Sequence, residues 1–194
     1  MIELEGRAVH ISASPGAGKT ALCLGIASEI VLDGGRVIWA CRKMPDASRA
    51  REILHDIGEE GFRKISILDF SSDFPSELEL ILSGAKDFGR RDIVIVDDWC
   101  DSYGRAKKEE IIAAERLSTL VHKTNLIITS SSYEDASGSS ESGWLTRGGR
   151  SIEKVYMTVL LMKHQIKEGV RSISWEGNEK LARMTPRGLE EIVS

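Results

Sequence analysis

Apolar residues follow two alternating spacings along this chain. Residues 6–13 (GRAVHISA), 36–41 (RVIWAC), 64–70 (KISILDF), 92–97 (DIVIVD) and 125–130 (NLIITS) are short, nearly continuous apolar runs. Such runs predict strands, and 92–97, the most continuously apolar, has the pattern of a strand in the middle of a parallel sheet covered on both faces. Residues 19–32 instead carry apolar side chains (Ala21, Leu22, Leu24, Ile26, Ala27, Ile30, Val31) around most of a helical circumference. That predicts a helix buried against the sheet and stopped by Gly34 and Gly35. Further helices are predicted over 47–57, ended by Gly58, over 76–83, opened by Pro75, and over 105–122.

The pattern changes after residue 130. Residues 130–149 are rich in Ser and Gly and hold neither period. They predict a loop of roughly twenty residues, a length that compact domains keep for function or disorder. Beyond it, residues 156–163 (YMTVLLMK) and 170–175 (VRSISW) flank a turn at 167–169 and predict an antiparallel hairpin. Residues 186–193 predict a short closing helix. No internal repeat and no linker interrupts the order. The expectation is one α/β domain over residues 1–194, a mostly parallel central sheet flanked by helices with a C-terminal antiparallel hairpin.

Composition narrows the class. The chain has 194 residues, 41% hydrophobic and 29% charged, which excludes disordered, collagen-like and coiled-coil proteins. No apolar run approaches the roughly 18 residues of a membrane span, and the first residues hold no signal-peptide pattern, so a cytoplasmic protein without membrane contact is expected. Three cysteines (Cys23, Cys41, Cys100) are predicted to be buried free thiols. The net charge of −4 offers no global basic field, so any contact with nucleic acid has to be local.

The strongest chemistry lies at Ser14-Pro15-Gly16-Ala17-Gly18-Lys19-Thr20, between a strand and a helix that continues with Ala21. This is the context of a phosphate-binding loop. Its glycines let backbone N–H groups turn inward around phosphate oxygens, and the helix N-terminus adds its dipole. Lys19 is expected on the β- and γ-phosphates and the Thr20 hydroxyl on Mg²⁺. Ala13 stands where the usual pattern has glycine, a mild departure. A Mg·nucleotide site also needs a carboxylate at the end of a buried neighbouring strand, and residues 93–98 (IVIVDD) supply it. Asp97 is expected to hold Mg²⁺ through water. Asp98 either orients water or caps the next segment. Trp39 and Trp99 read as packing.

With these motifs placed, the chain resembles the RecA-like recombinase ATPases, most closely the archaeal RadA/RadB group and its paralogs. RVIWACRKMPDASRAREILHDIG is similar to the family's strand, turn and helix after the phosphate loop. NLIITSSSYED resembles the strand leading into its second DNA-binding loop, and TRGGRSIEKVYMTVLLMKHQIKEGVRSI the glycine pair and hairpin beyond that loop. ARMTPRGLEEI resembles the C-terminal end. The resemblance implies a RecA-like P-loop ATPase core, ATP or ADP with Mg²⁺, single-stranded DNA, and a recombinase or paralog as protein partner. It also implies that Arg49 stacks on adenine, given a two-residue insertion before it.

The departures from that family are specific. The recombinases' catalytic glutamate falls on Lys43, and a cation cannot accept the water's proton. Their γ-phosphate-sensing glutamine falls on Ser131, which is too short. The chain starts at the first core strand, so the N-terminal DNA-binding domain and polymerisation segment are expected to be missing, and EGNEK at 176–180 replaces the proline-bearing cap over ATP. Slow hydrolysis and no long filaments are therefore expected.

The 130–150 loop leaves two readings open. Trp144 and Tyr133 are candidates to stack on bases and Arg147 and Arg150 to meet phosphates, with Lys154 nearby and Glu134, Asp135 and Glu141 opposing them; otherwise the loop is simply solvated. Lys163, His164, Lys167 and Arg171 either extend a basic patch or form an ordinary solvated edge. Three functions follow: an ATP-binding accessory factor in homologous recombination and DNA repair, a nucleotide-binding interaction module without a DNA role, or a KaiC-like signalling ATPase.

Overall fold

The structure, a computed structural model, describes all residues except 1, 3, 5, 71–72, 136, 139, 141–142 and 193–194. In chain order its elements are β1 (Ala8–Ala13), α1 (Lys19–Leu32), β2 (Val37–Cys41), α2 (Ala47–Ile53), α3 (Gly58–Phe62), β3 (Ile65–Asp69), α4 (Phe74–Gly84), β4 (Ile93–Asp97), α5 (Lys108–Leu117) and β5 (Asn125–Ser131). Then follow β6 (Tyr133–Glu134), β7 (Trp144–Leu145), α6 (Gly149–Glu153), β8 (Met157–Lys163), β9 (Val170–Trp175), β10 (Asn178–Thr185) and β11 (Gly188–Glu191).

Nine strands form one sheet in the order β11-β10-β9-β8-β1-β5-β4-β2-β3. The six from β8 to β3 run parallel, and β9, β10 and β11 extend the edge as antiparallel neighbours. Strands β1, β2 and β4 are buried along their whole length, as their continuous apolar runs require. Helix α1 is buried between the sheet and the segments around Ile53, Ile57 and Leu189, which explains its apolar residues on nearly every side. The opposite face is closed by α4, α5 and Ile152, packing on Ile38, Val94, Val96 and Ile128. All three cysteines are buried and free.

The structure corrects four element boundaries. The helix expected over 47–57 ends at Ile53, a short 3₁₀ turn follows, and Gly58 opens α3 instead of closing a helix. The helix expected over 105–122 is α-helical only over Lys108–Leu117. The 130–149 loop contains the small β6–β7 ladder. The closing helix is absent among the described residues, because residues 178–185 form β10 and residues 188–191 pair with it as β11. Gly188 has φ +109°, which a helix interior does not contain, and it turns the chain so that Met184 opposes Leu189. Leu189 is thereby buried against α1.

Candidate nucleotide-binding site

Strand β1 ends at Ala13, and the chain loops back into α1 over a single turn. Ser14 N–H donates to Leu161 O (3.1 Å), and Ala17 N–H closes the turn on Ser14 O (2.9 Å). Gly18 is the residue before α1, with φ +101°, and no side chain caps that helix. No acidic residue occupies its first turn either. An uncapped helix start with free N–H groups is an anion site. Glycine is favoured there by φ, and a Cβ on Gly18 would stand 2.3 Å from Met184 Cε, so the end of that side chain would have to move. Residues 13–20, with Ser131 opposite, enclose a cradle of about 160 Å³.

Two carboxylates at and just past the end of β4 contact the cradle's Thr20 and Lys19. Thr20 Oγ1 donates to Asp97 Oδ2 (2.9 Å), and Thr129 Oγ1 donates to Asp97 Oδ1 (2.7 Å). Burial, and then the neighbouring Asp98 charge, raise the Asp97 carboxyl above its ordinary range, while Lys19, Thr129 and Thr20 oppose the rise. Asp98 has a left-handed backbone (φ +61°), held by its N–H on Thr129 Oγ1 (2.9 Å). Its Oδ2 pairs with Lys19 Nζ at 3.1 Å, and its Oδ1 is buried without a partner. A hydroxyl backed by a carboxylate, beside an orphaned carboxylate oxygen, suits Mg²⁺, which keeps several waters and takes few protein ligands. Among the described residues, no cluster of three or more His, Cys, Asp or Glu makes a self-sufficient metal cage. Thr20 would hold the ion and Asp97 would back it.

The end of β2 has the opposite character. Arg42 N–H donates to Asp97 O (3.2 Å), and its guanidinium binds Asp101 and the buried Glu110 at 3.0 Å each and Asp98 O at 3.2 Å. Lys43, in the position of the expected base, is exposed.

The remaining predicted residues divide. Arg49 is placed beside the site, but its guanidinium is engaged by the carbonyls of Thr185 and Pro186 and by Glu52. Arg147, expected to face nucleic acid, is 5% exposed. Its donors are committed to the carbonyls of Ser131, Ser102 and Gly104, and it lies over the Tyr133 ring, so it fastens the loop to the end of β5 and to the segment after β4. Trp144 is half-buried in β7, and Arg150 and Lys154 are exposed around α6. Glu141 lies outside the described residues. Trp39 and Trp99 are buried packing.

Three residues were missed by sequence reasoning. Thr129 donates to the Asp97 carboxylate and accepts from the Asp98 backbone N–H, and its only signal was a hydroxyl in an apolar strand. Tyr103, 90% exposed, lines an open cleft of about 770 Å³ with Pro15, Tyr133 and Trp144. His10, in β1, is fully buried with Nε2 on Ser130 Oγ (2.8 Å), and burial lowers its pKa to about 3.

No family model matches the sequence, and no curated protein is similar to it. Solved structures are similar in fold. The RadB recombinase superposes with a TM-score of 0.71 at 17% identity, over 98% of this chain and 92% of that one. The fold is RecA-like. A KaiC-like protein from Pyrococcus horikoshii gives 0.69 at 18% identity over 97% and 90% of the two chains. A DnaB-like replicative helicase gives 0.67 at 14% over 97% of this chain and 58% of its own. In this RecA-like frame the cradle sits at the carboxyl ends of the parallel strands, where α/β sheets bind ligands. No helix among the described residues is long and apolar enough to cross a membrane.

Proposed function

We propose that this chain is an ATP-binding accessory factor of homologous recombination and DNA repair, which binds Mg·ATP and Mg·ADP in the cradle and hydrolyses ATP slowly. Gly16, Gly18, Lys19 and Thr20 hold the phosphates, Thr20 and Asp97 hold Mg²⁺, and the protein acts in the cytoplasm beside a recombinase or paralog. One observation carries this reading: Pro15 is a wall of the cradle and also of the cleft lined by Tyr103, Tyr133 and Trp144. On this reading the nucleotide site and the surface for stacking bases share a residue, through which occupancy of one would reach the other. The exposed Arg105 on the cleft, with the exposed Arg150 and Lys154 around α6, supplies charge for a phosphate backbone. The RadB recombinase likeness agrees with it.

The test is fluorescence anisotropy of labelled oligo(dT) with and without Mg·ATP, over a salt series. Saturable binding that weakens steeply with salt is expected. Tyr103→Ala and Trp144→Ala should each weaken it about tenfold, within the roughly 1–3 kcal/mol of a base–aromatic stack. Absence of DNA binding in either nucleotide state would overturn the DNA role. The similarity to a KaiC-like protein supports a second reading, a signalling ATPase, and autophosphorylation on a serine of 130–132 would favour it.

A further inference from the structure

The phosphate loop is gripped from outside by the antiparallel extension of the sheet. Arg171, on β9, sends its Nε–H to Ala17 O at 2.8 Å, and its Nη1–H folds back to Val170 O at 2.9 Å. Lys163, at the end of β8, places Nζ 3.1 Å from where a Cβ of Gly16 would stand. Met184 of β10 covers Gly18. The loop's outer surface is thus built by β8, β9 and β10, while its inner surface is the cradle.

We infer that Arg171 is a positioning residue for nucleotide binding, which aims the Gly18 N–H into the cradle by holding the carbonyl of Ala17. The peptide joining Ala17 to Gly18 is planar, and in a trans peptide the N–H points opposite to the C=O. The structure contains no cis peptide among the described residues, so this bond is trans. Drawing the carbonyl toward β9 therefore turns the Gly18 N–H away from β9. Gly18, at φ +101° and with no Cβ, has a permissive backbone, so the orientation of this peptide gains from an external hold. The Ala17 N–H is already fixed on Ser14 O, which leaves the carbonyl side as the free half of the turn. A charged donor at 2.8 Å makes a strong hydrogen bond, and its geometry is set by a strand of the main sheet. Arg171 touches no phosphate in this role. It sets the donor that does.

This inference rests on the nucleotide site proposed above, and the experiment separates the two. Calorimetry measures Mg·ADP and Mg·ATP binding to the parent chain, Lys19→Ala, Arg171→Met and Arg171→Gln. Lys19→Ala reports on the site itself: if the parent binds neither nucleotide, the site is wrong whatever Arg171 does. If the parent binds, Arg171→Met should lose about tenfold for ADP and ATP alike, because the misaimed donor serves phosphates that both carry. Arg171→Gln keeps an N–H donor without the charge and should recover most of that loss. Equal affinity of Arg171→Met and parent would overturn the inference. So would a loss confined to ATP, or a Gln variant as weak as Met, since either means that charge near the terminal phosphate matters and not peptide orientation. Should Arg171→Met bind too weakly to measure, the Gly18 amide resonance of the nucleotide-free, ¹⁵N-glycine-labelled chain gives the answer directly: it should move in Arg171→Met and Arg171→Ala, which keep no donor, and stay close to the parent position in Arg171→Gln. A Gly18 shift unmoved in both donor-free variants refutes a hold on that peptide in its own right.

Discussion

Helices α1 and α2 follow two strands of the same sheet and begin at the same edge, yet their first turns are opposites. Helix α1 begins at Gly18 with no side-chain cap and no acid, leaving its N–H groups to an incoming anion. Helix α2 begins at Asp46, whose carboxylate takes the Arg49 N–H at 2.8 Å and closes that helix on itself. The strands preceding them differ in the same sense. Beyond β1 lie the loop, Lys19 and the paired carboxylates of β4; beyond β2 lie Arg42, bound to Glu110 and Asp101, and the exposed Lys43. On the function proposed above, the first half holds phosphate and Mg²⁺. In the second half, where the family resemblance puts a base, Arg42 is held by two carboxylates and Lys43 is exposed. The contrast predicts binding without rapid turnover.

The largest test of that contrast is Lys19→Ala. Removing the ammonium takes away the charged donor facing the phosphates and should weaken Mg·ATP binding by about a hundredfold, or roughly 2.7 kcal/mol. Unchanged affinity by calorimetry would mean that the uncapped helix does not face a nucleotide. The next test concerns the interior of the sheet behind the binding half, where the buried His10 of β1 meets Ser130 and Trp99. Its pKa is lowered by burial to about 3 in the folded chain and is 6.5 ordinarily. Below pH 6.5 the unfolded chain takes up a proton that the folded chain refuses, so stability is lost as pH falls. Urea unfolding of the parent should lose roughly 2 kcal/mol from this residue between pH 7 and pH 5, being 1.5 pH units of uptake below the ordinary value. His10→Gln should remove that part of the slope, and an identical pH dependence in the two proteins would mean that this imidazole is not shielded from protons in the folded chain.

What the sequence revealed follows the range of the interactions involved. The phosphate loop, β4 with its two acids and the buried helix α1 are written in contiguous residues, and each stands where its local pattern put it. Residues 178–191 were not legible in the same way. Their strands exist because β10 pairs with β9 and Leu189 finds α1, both distant contacts, while Pro186 and the acidic run after it imitate a helix start. Arg147 shows the same limit. An arginine in a Ser/Gly-rich loop suggests solvent and phosphate, yet three carbonyls from two other segments enclose it. Arg171 was readable as a basic residue on a hairpin edge, and only the register of β9 beside the loop brings it to Ala17.

The smallest expected effect bears most directly on the contrast between the two halves. A positioned general base contributes about 10²–10⁴-fold to a proton-transfer step, whereas phosphoryl transfer otherwise relies on alignment and charge neutralisation. The parent retains the second set of parts in the loop, Lys19, Thr20 and Asp97, so its turnover should be measurable yet below the roughly 1–10³ s⁻¹ of ordinary enzymes. Lys43→Glu places a carboxylate just past the end of β2, beside a chain already hydrogen-bonded to Asp97 through Arg42 N–H. Its position is unrefined, so only part of the full factor returns, and steady-state phosphate release should rise about tenfold. Lys43→Ala is the control, since losing a cation could itself change how water sits near the site. A gain in the Glu variant that exceeds the Ala variant assigns the effect to a base. Equal rates in the two variants, or a parent already turning over at several per second, would show that the β2 end is not where water is activated. Asp98, with one oxygen on Lys19 and the other buried and unpaired, would then be the group to replace with asparagine.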